Sequence, residues 1–249
     1  MMNHPPEAVI GDVMLPGSRS AREPDRGIKR GRHGLAPETV AENQRDRLVD
    51  AFVEVVAEHG FPQATISRIT HAAGVTKKAF YDHFADREAC FRAAYDQGMD
   101  LIVARVEEAW KGAGSCPEGV LAAMRTLLET LAGQPRFARV AMVEINSTSP
   151  GVRRGRTRCL EGFRTLLTDP APEPGVAGVP EAVADAVVGG VYSAIYLWVD
   201  AGRTAELPEM VSSLTYFVLL PLLGKEEAAR EMARMGVNAG ASDHPAYSS

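Results

Sequence analysis

Thr76, Lys77, Lys78, Tyr81 and His83 fall within eight residues of one another in the stretch TKKAFYDHF, which ends at Phe84. A short helix capped by Thr76 would turn Phe80 and Phe84, spaced i and i+4, into a core. The polar residues are then left on or near its outer surface. Lysines there can neutralise phosphates or donate to guanine, and a tyrosine hydroxyl can fix a phosphate without reading sequence. The helix N-terminus adds a partial positive charge of its own. The same pattern would also suit a solvated amphipathic helix. Bond-making chemistry has no comparable support: the chain contains no GxSxG, P-loop, HExxH, GxGxxG in a strand context or convergent carboxylate pair. His71 and His83 lack a carboxylate or thiol at metal-ligand spacing, so no metal is expected.

The elements that must position these residues are helical. Thr65 is a plausible cap for a short helix that carries Ile66 and Ile69 inward and ends at Ala73-Gly74. Two short helices joined by Ala73-Gly74-Val75 match a DNA-binding helix-turn-helix over about 65–84, with glycine supplying the sharp turn. The second helix would present its first turn to the major groove. Before it, Leu48, Phe52, Val55 and Val56 share one face of a helix running from Pro37 to a stop at His59-Gly60. After it, a helix starts near Asp86 and runs towards Trp110. Helical period continues through Pro117–Ala132, Pro135–Ile145, Val152–Leu167, Pro180–Asp200, Leu207–Leu223 and Lys225–Met235, with Pro, Gly or Asp-Pro clusters between them. No convincing strand and no internal repeat emerges. The expected class is all-α, a three-helix DNA-binding domain followed by a helical domain.

The stretch GFPQATISRITHAAGVTKKAFYDHFADREACF resembles the amino-terminal domain of TetR/AcrR-type transcriptional regulators, most specifically in AAGVTKKAFYDHFADRE. The resemblance starts around Asn43 and fades after Asp96. It implies that Thr65 touches a phosphate and Ser67 lies near the groove. Lys77, Lys78 and Ala79 then take base-facing or groove-edge positions, and Tyr81 and His83 take phosphate-contact positions. Arg87 stands where the family usually has Lys and could serve with a fork-shaped donor. Lys78 stands where Gly or Pro is common and Ala79 where Thr is common. Those two departures leave the operator sequence open. Asp82 would face solvent.

Charge and composition set the outer limits. The net charge of −5 at first disfavours nucleic acid. Between Ser18 and Ala36, however, six basic residues face only Glu23 and Asp25. Residues 1–36 are rich in Gly, Pro and Arg without apolar periodicity and are expected to be a flexible basic arm, with Arg26, Lys29, Arg30 and Arg32 as candidate minor-groove contacts. The DNA-binding domain is expected over 37–92, the helical domain over 93–236 and a flexible tail over 237–249. Cys90, Cys116 and Cys159 form no CxxC pair, which fits a reducing cytoplasm. The amino terminus has no signal-peptide pattern. The charge-free stretches Ala186–Val199 and Met210–Gly224 are too short for a bilayer, so buried helices are expected there.

By the same resemblance the later helices form an effector-binding and dimerisation domain. Trp110, Met124, Phe137, Met142, Phe163, Tyr192 and Tyr196 are its candidate pocket residues, although plain core packing explains each of them better taken singly. Glu144 and Asn146 could orient a ligand. Arg153, Arg154, Arg156 and Arg158 could bind an anion, although a solvated face explains them better. The helices near 180–200 and 207–223 are apolar on more than one side and suit a homodimer interface. The implied protein is a homodimeric repressor of double-stranded DNA operators, released by an unidentified small apolar or amphipathic effector and needing no cofactor. An activator or architectural protein is the nearer alternative, and a helical-bundle enzyme the more distant one.

Overall fold

Local side-chain chemistry decides where the short helices begin. The computed structural model describes residues 14–21, 37–169 and 178–237. In it α1 (Pro37–His59) leads through a 3-10 turn at Phe61–Gln63 into α2 (Ile66–Ala73) and α3 (Lys77–His83). The Thr65 hydroxyl accepts the Arg68 N–H at 3.3 Å, and the Thr76 hydroxyl accepts the Ala79 N–H at 3.1 Å. Each cap satisfies a donor that the first turn of a helix leaves unpaired. Gly74 closes α2 in the left-handed conformation at φ 63°, so the chain can turn at once into α3. Asp86 caps α4 (Arg87–Lys111) by accepting the Ala89 N–H at 2.7 Å.

The three amino-terminal helices form a head built around aromatic rings. Phe91 on α4 meets Phe52 of α1 and Phe61 of the turn edge-on, with centroids 5.6 and 5.3 Å away. Ile69 and Phe80 bring α2 and α3 onto the same fully buried core. The expected boundary at 92/93 falls within α4, which passes through it unbroken and belongs to both parts of the molecule.

The rest is a helical layer packed around α4. It comprises α5 (Cys116–Gly133), α6 (Pro135–Met142), a 3-10 turn at Glu144–Ser147, α7 (Pro150–Thr168), α8 (Glu181–Asp200), a 3-10 segment at Thr204–Met210, α9 (Val211–Leu223) and α10 (Lys225–Arg234). Among the described residues there is no strand. Helix α4 packs on α5 and α7, α5 on α9, and α6 lies against both α1 and α8. A Cβ on Gly98 would stand 2.1 Å from the Phe137 ring, so the missing side chain is what lets α6 approach α4. The helix expected to reach Ile145 stops at Met142, because the Asn146 side-chain amide donates to the Met142 and Val143 carbonyls at 3.1 and 3.2 Å. The segment expected to be helical from Leu207 begins as a 3-10 run, where Pro208 supplies no N–H for an α-helical bond.

Two expectations need correction. Part of the presumed flexible arm is seated on the head. Leu15 and Ala21 are buried, the Gly17 N–H donates to Asp50 of α1 at 2.7 Å, and Arg47 donates to the Ala21 and Ala73 carbonyls at 3.0 and 2.5 Å. The candidate contacts Arg26, Lys29, Arg30 and Arg32, and the tail from residue 238, lie outside the described residues. Secondly, Glu181–Asp200 and Thr204–Leu223 are each long and apolar enough to cross a membrane by length and composition. Counting only charge-free residues underestimated both. Ala184, Val187, Val191, Ile195 and Val199 nevertheless place one stripe of α8 in the protein core.

Gly98→Ala should lower stability by about 1–3 kcal/mol through overpacking against Phe137, measured by urea unfolding. Deleting residues 1–21 should cost a similar amount, on the order of 1–3 kcal/mol, by uncovering the surface that Leu15 and Ala21 occupy. An unchanged unfolding midpoint would show that the segment is not seated in solution.

Candidate functional site

Thr65, Ser67, Thr76, Lys77, Lys78 and Tyr81 all lie exposed on the two short helices and their caps, with Tyr81 57% accessible. Phe80 is fully buried and Phe84 nearly so, which turns the opposite face of α3 outward. Ala79 and His83 are half-buried at the edge of that face. Lys78 is not a lone charge: its ammonium pairs with Asp82 one turn on at 3.0 Å. Asp82 is exposed, as expected, but it offsets half of the lysine charge that α3 offers.

Arg87, expected at a phosphate, has its side chain engaged within the protein. Its Nη1 donates to the Phe61 and Pro62 carbonyls, both at 3.1 Å, and its guanidinium lies 4.5 Å above the Phe61 ring. The side chain therefore ties the first turn of α4 to the turn preceding α2. The fork that suits a phosphate also suits two adjacent carbonyls.

A second site is a narrow apolar cavity of about 70 Å³ between α4, α5, α7 and α8. Of the candidate pocket residues, Trp110, Met124, Met142, Phe163 and Tyr192 line it. Phe137 does not, being fully buried against Gly98, and neither does Tyr196. Tyr95, Met99 and Val106 add three further α4 side chains to the wall. The polar end is made by Arg156 and Tyr192. Arg156 donates to Asn146 Oδ1 at 2.7 Å and lies over the Tyr192 ring at 5.5 Å, while the Tyr192 hydroxyl donates to the Met142 carbonyl at 3.2 Å.

The four arginines of α7 thus separate by role. Arg154 is exposed, Arg153 donates to the Thr148 carbonyl at 2.6 Å, and Arg158 pairs with Asp96 at 3.1 Å. Only Arg156 of the four reaches the cavity. Glu144 points away from it, to the turn at Phe61. Among the described residues no cluster of three or more His, Cys, Asp or Glu is arranged to hold a metal ion.

Residues 48–94 match the family model described as bacterial regulatory proteins, tetR family. That stretch of the chain is similar to the amino-terminal domain of such regulators. The fatty acid metabolism regulator protein of Bacillus subtilis is 27% identical over 121 residues, 49% of this chain and 62% of that protein. The HTH-type transcriptional repressor AcnR of Corynebacterium efficiens is 30% identical over 87 residues, 35% of this chain and 42% of its own length. The match spans less than two thirds of either relative. The crystal structure of the transcriptional regulator FadR from Bacillus subtilis in complex with stearoyl-CoA is similar at a TM-score of 0.60 and 23% identity, covering 72% of this chain and 98% of that one, which shows a shared fold.

Around Phe163, which was expected in the pocket, the cavity residues missed from sequence carried a usable signal. Arg156, Cys159, Leu160, Phe163 and Leu167 recur at three- and four-residue steps, the stripe of one helix face, and all five line the cavity. Burial, with Asp100 nearby, pushes the Cys159 thiol up to about 12. Its thiolate is therefore scarce at neutral pH and should increase about tenfold per pH unit up to that value. Iodoacetamide labelling of Cys159, followed by peptide mass spectrometry, should be slow at pH 7 and still climbing at pH 10. A plateau near the ordinary thiol range would contradict the burial.

Proposed function

We propose that this protein is a homodimeric transcriptional repressor that grips operator DNA through α3 and lets go when an amphipathic effector with a long apolar chain fills the cavity. The observation that carries this is the double duty of α4. Its first turn is locked to the head through Arg87, while Tyr95, Met99, Val106 and Trp110 farther along it line the cavity. A ligand that parts the cavity walls has to act on the helix that holds the DNA-facing unit. The sites couple to the extent that the effector prefers one arrangement of that helix.

The cavity is well below the roughly 300–1,000 Å³ of an occupied small-molecule pocket, so entry requires a wall to move. Helix α7 is the wall with least anchorage, burying fully only Val152, Gly155 and Leu167. An apolar lining with one arginine at its end suits an acyl chain carrying an oxygen-rich head. The stearoyl-CoA bound to the B. subtilis protein of the same fold is of that class.

Dimerisation is supported by the outer face of α8. Val183, Ala186, Gly190, Ser193 and Leu197 recur at alternating three- and four-residue steps, the seam of paired helices. Val183 and Leu197 are 37% and 53% exposed, and Phe217 of α9 beside Gly190 is 38% exposed. A second copy would cover this face and set two α3 helices about one DNA turn apart. A cytoplasmic location fits an operator-binding protein whose three cysteines include no CxxC pair.

Selection from a random duplex pool, followed by gel shift, tests the core of the proposal. Sequence-specific binding at moderate salt is expected, and its absence would sink the repressor. Lys77→Ala should weaken operator binding about tenfold, whereas Lys78→Ala should cost less because Asp82 already offsets that charge. Leu197→Glu should shift the protein from dimer to monomer in light scattering and weaken operator binding in step; a dimer that persists would move the interface elsewhere.

A further inference from the structure

Glu144 is a charged residue in a place that is costly for one. It is only 5% exposed, and its two oxygens serve two partners on different parts of the chain. Oε2 accepts the Phe61 N–H at 2.9 Å, and Oε1 pairs with Arg139 at 3.1 Å. Phe61 opens the turn that sets the direction of α2, since Thr65, the cap of α2, follows within four residues. The same turn is held from the other side by Arg87, the first residue of α4. An anionic acceptor is worth about twice a neutral one to an N–H, and losing it strands a buried donor.

On its other side Glu144 belongs to the short run that closes the polar end of the cavity. Met142 lines the cavity, and its carbonyl accepts both the Tyr192 hydroxyl and the Asn146 amide. Asn146 in turn accepts from Arg156 at 2.7 Å. A head group that draws Arg156 or Tyr192 towards itself must take a partner away from Met142 or Asn146. The residue between them in sequence that reaches the head is Glu144. An apolar contact path runs beside this polar one: Tyr95 in the cavity wall stacks on Phe91 at 6.4 Å, and Phe91 meets Phe61 at 5.3 Å.

We infer that Glu144 is the positioning residue that transmits cavity occupancy to the DNA-facing helices, a role that rests on the effector-released repressor proposed above. With the cavity empty, its carboxylate holds the turn at Phe61–Gln63 and so fixes the entry into α2. When an acyl effector engages Arg156, the 142–146 run shifts and the Phe61 N–H is released. The two α3 helices of the dimer then lose their common spacing.

Glu144→Gln is the informative variant, because an amide of the same size has one acceptor oxygen and cannot serve both partners. The full-length dimer is titrated with stearoyl-CoA by intrinsic tryptophan fluorescence, and with a selected operator duplex by anisotropy, with and without stearoyl-CoA. Wild type should lose operator affinity by about 5–150-fold on adding the probe, whereas Glu144→Gln should bind the probe comparably and lose less than about twofold. Met232→Ala, a buried change on α10, supplies a destabilised control and should retain the wild-type ratio. An unchanged ratio in Glu144→Gln, or an equal loss in Met232→Ala, overturns the inference. Hydrogen exchange provides a readout that needs no effector. Operator binding should alter protection across residues 139–147 in wild type but not in Glu144→Gln, and no change in wild type overturns the role. Failure of wild type to bind stearoyl-CoA would instead fault the proposed effector, leaving this second readout to decide on Glu144.

Discussion

The turn at Phe61–Gln63 is the point on which the arrangement of the head depends. Its ring is clasped edge-on by Phe91, its N–H is taken by Glu144, and its carbonyl is taken by Arg87, whose guanidinium covers the ring. Two segments distant in sequence, the first turns of α4 and the run after α6, thus meet on the residue that links α1 to α2. A turn that short has no regular hydrogen-bond ladder of its own, so its groups must be satisfied from outside. Two of the outside partners, Arg87 and Phe91, come from α4, which also lines the cavity, and the third, Glu144, follows Met142, another lining residue. The bonds that satisfy the turn locally are also the ones through which the proposed coupling of two sites would run.

Tightness of the cavity would give the proposed coupling its force. Interiors are packed closely enough to pass on small displacements instead of absorbing them. The cavity walls are mostly aliphatic and aromatic, and the space between them is small, so an entering chain has to be accommodated by moving a helix. Helix α7 yields most readily, yet its start is not free: the Ser149 hydroxyl and N–H donate to Glu88 on the first turn of α4 at 2.6 and 3.2 Å. A displacement of α7 therefore pulls on the same end of α4 that Arg87 fastens to the head.

Features fixed by neighbours in the chain were legible in the sequence, and features fixed by distant partners were not. Thr65, Thr76, Asp86 and Gly74 announce helix ends because a cap bonds within three or four residues of itself. Phe80 and Phe84 show the buried face of α3, and with it the outward residues, by the same local logic. The seating of Leu15–Ala21 was hidden, since its polar contact is Gly17 to Asp50, 33 residues away, and a proline- and glycine-rich segment shows no period. Arg87 was expected at a phosphate because it stands where the family that the sequence resembles usually has Lys. That its Nη1 also reaches carbonyls 25 and 26 residues upstream could not be read from local pattern. Phe137 looked like a pocket residue until Gly98, on another helix, proved to leave room for its ring. Arg156 was lost among four arginines, although the stripe it shares with Cys159 and Phe163 could have separated it.

Electrostatics explains why spacing, not charge, should govern affinity in this protein. The chain carries a net charge of −5, and the charge of one of the two lysines on α3 is offset by Asp82. At physiological salt the screening length is about 8 Å, so the distant acidic helices neither repel DNA strongly nor help to hold it. Each head is left with a few hydroxyls, one unpartnered ammonium group among those described on α3, and a helix N-terminus. Such a surface binds weakly alone and gains most from a second head engaged on the same duplex, because the second contact is made at high effective concentration. That gain exists only while both α3 helices match the groove spacing. Under the release mechanism proposed above, a small shift at Phe61 in each subunit would remove the second contact without a large conformational change.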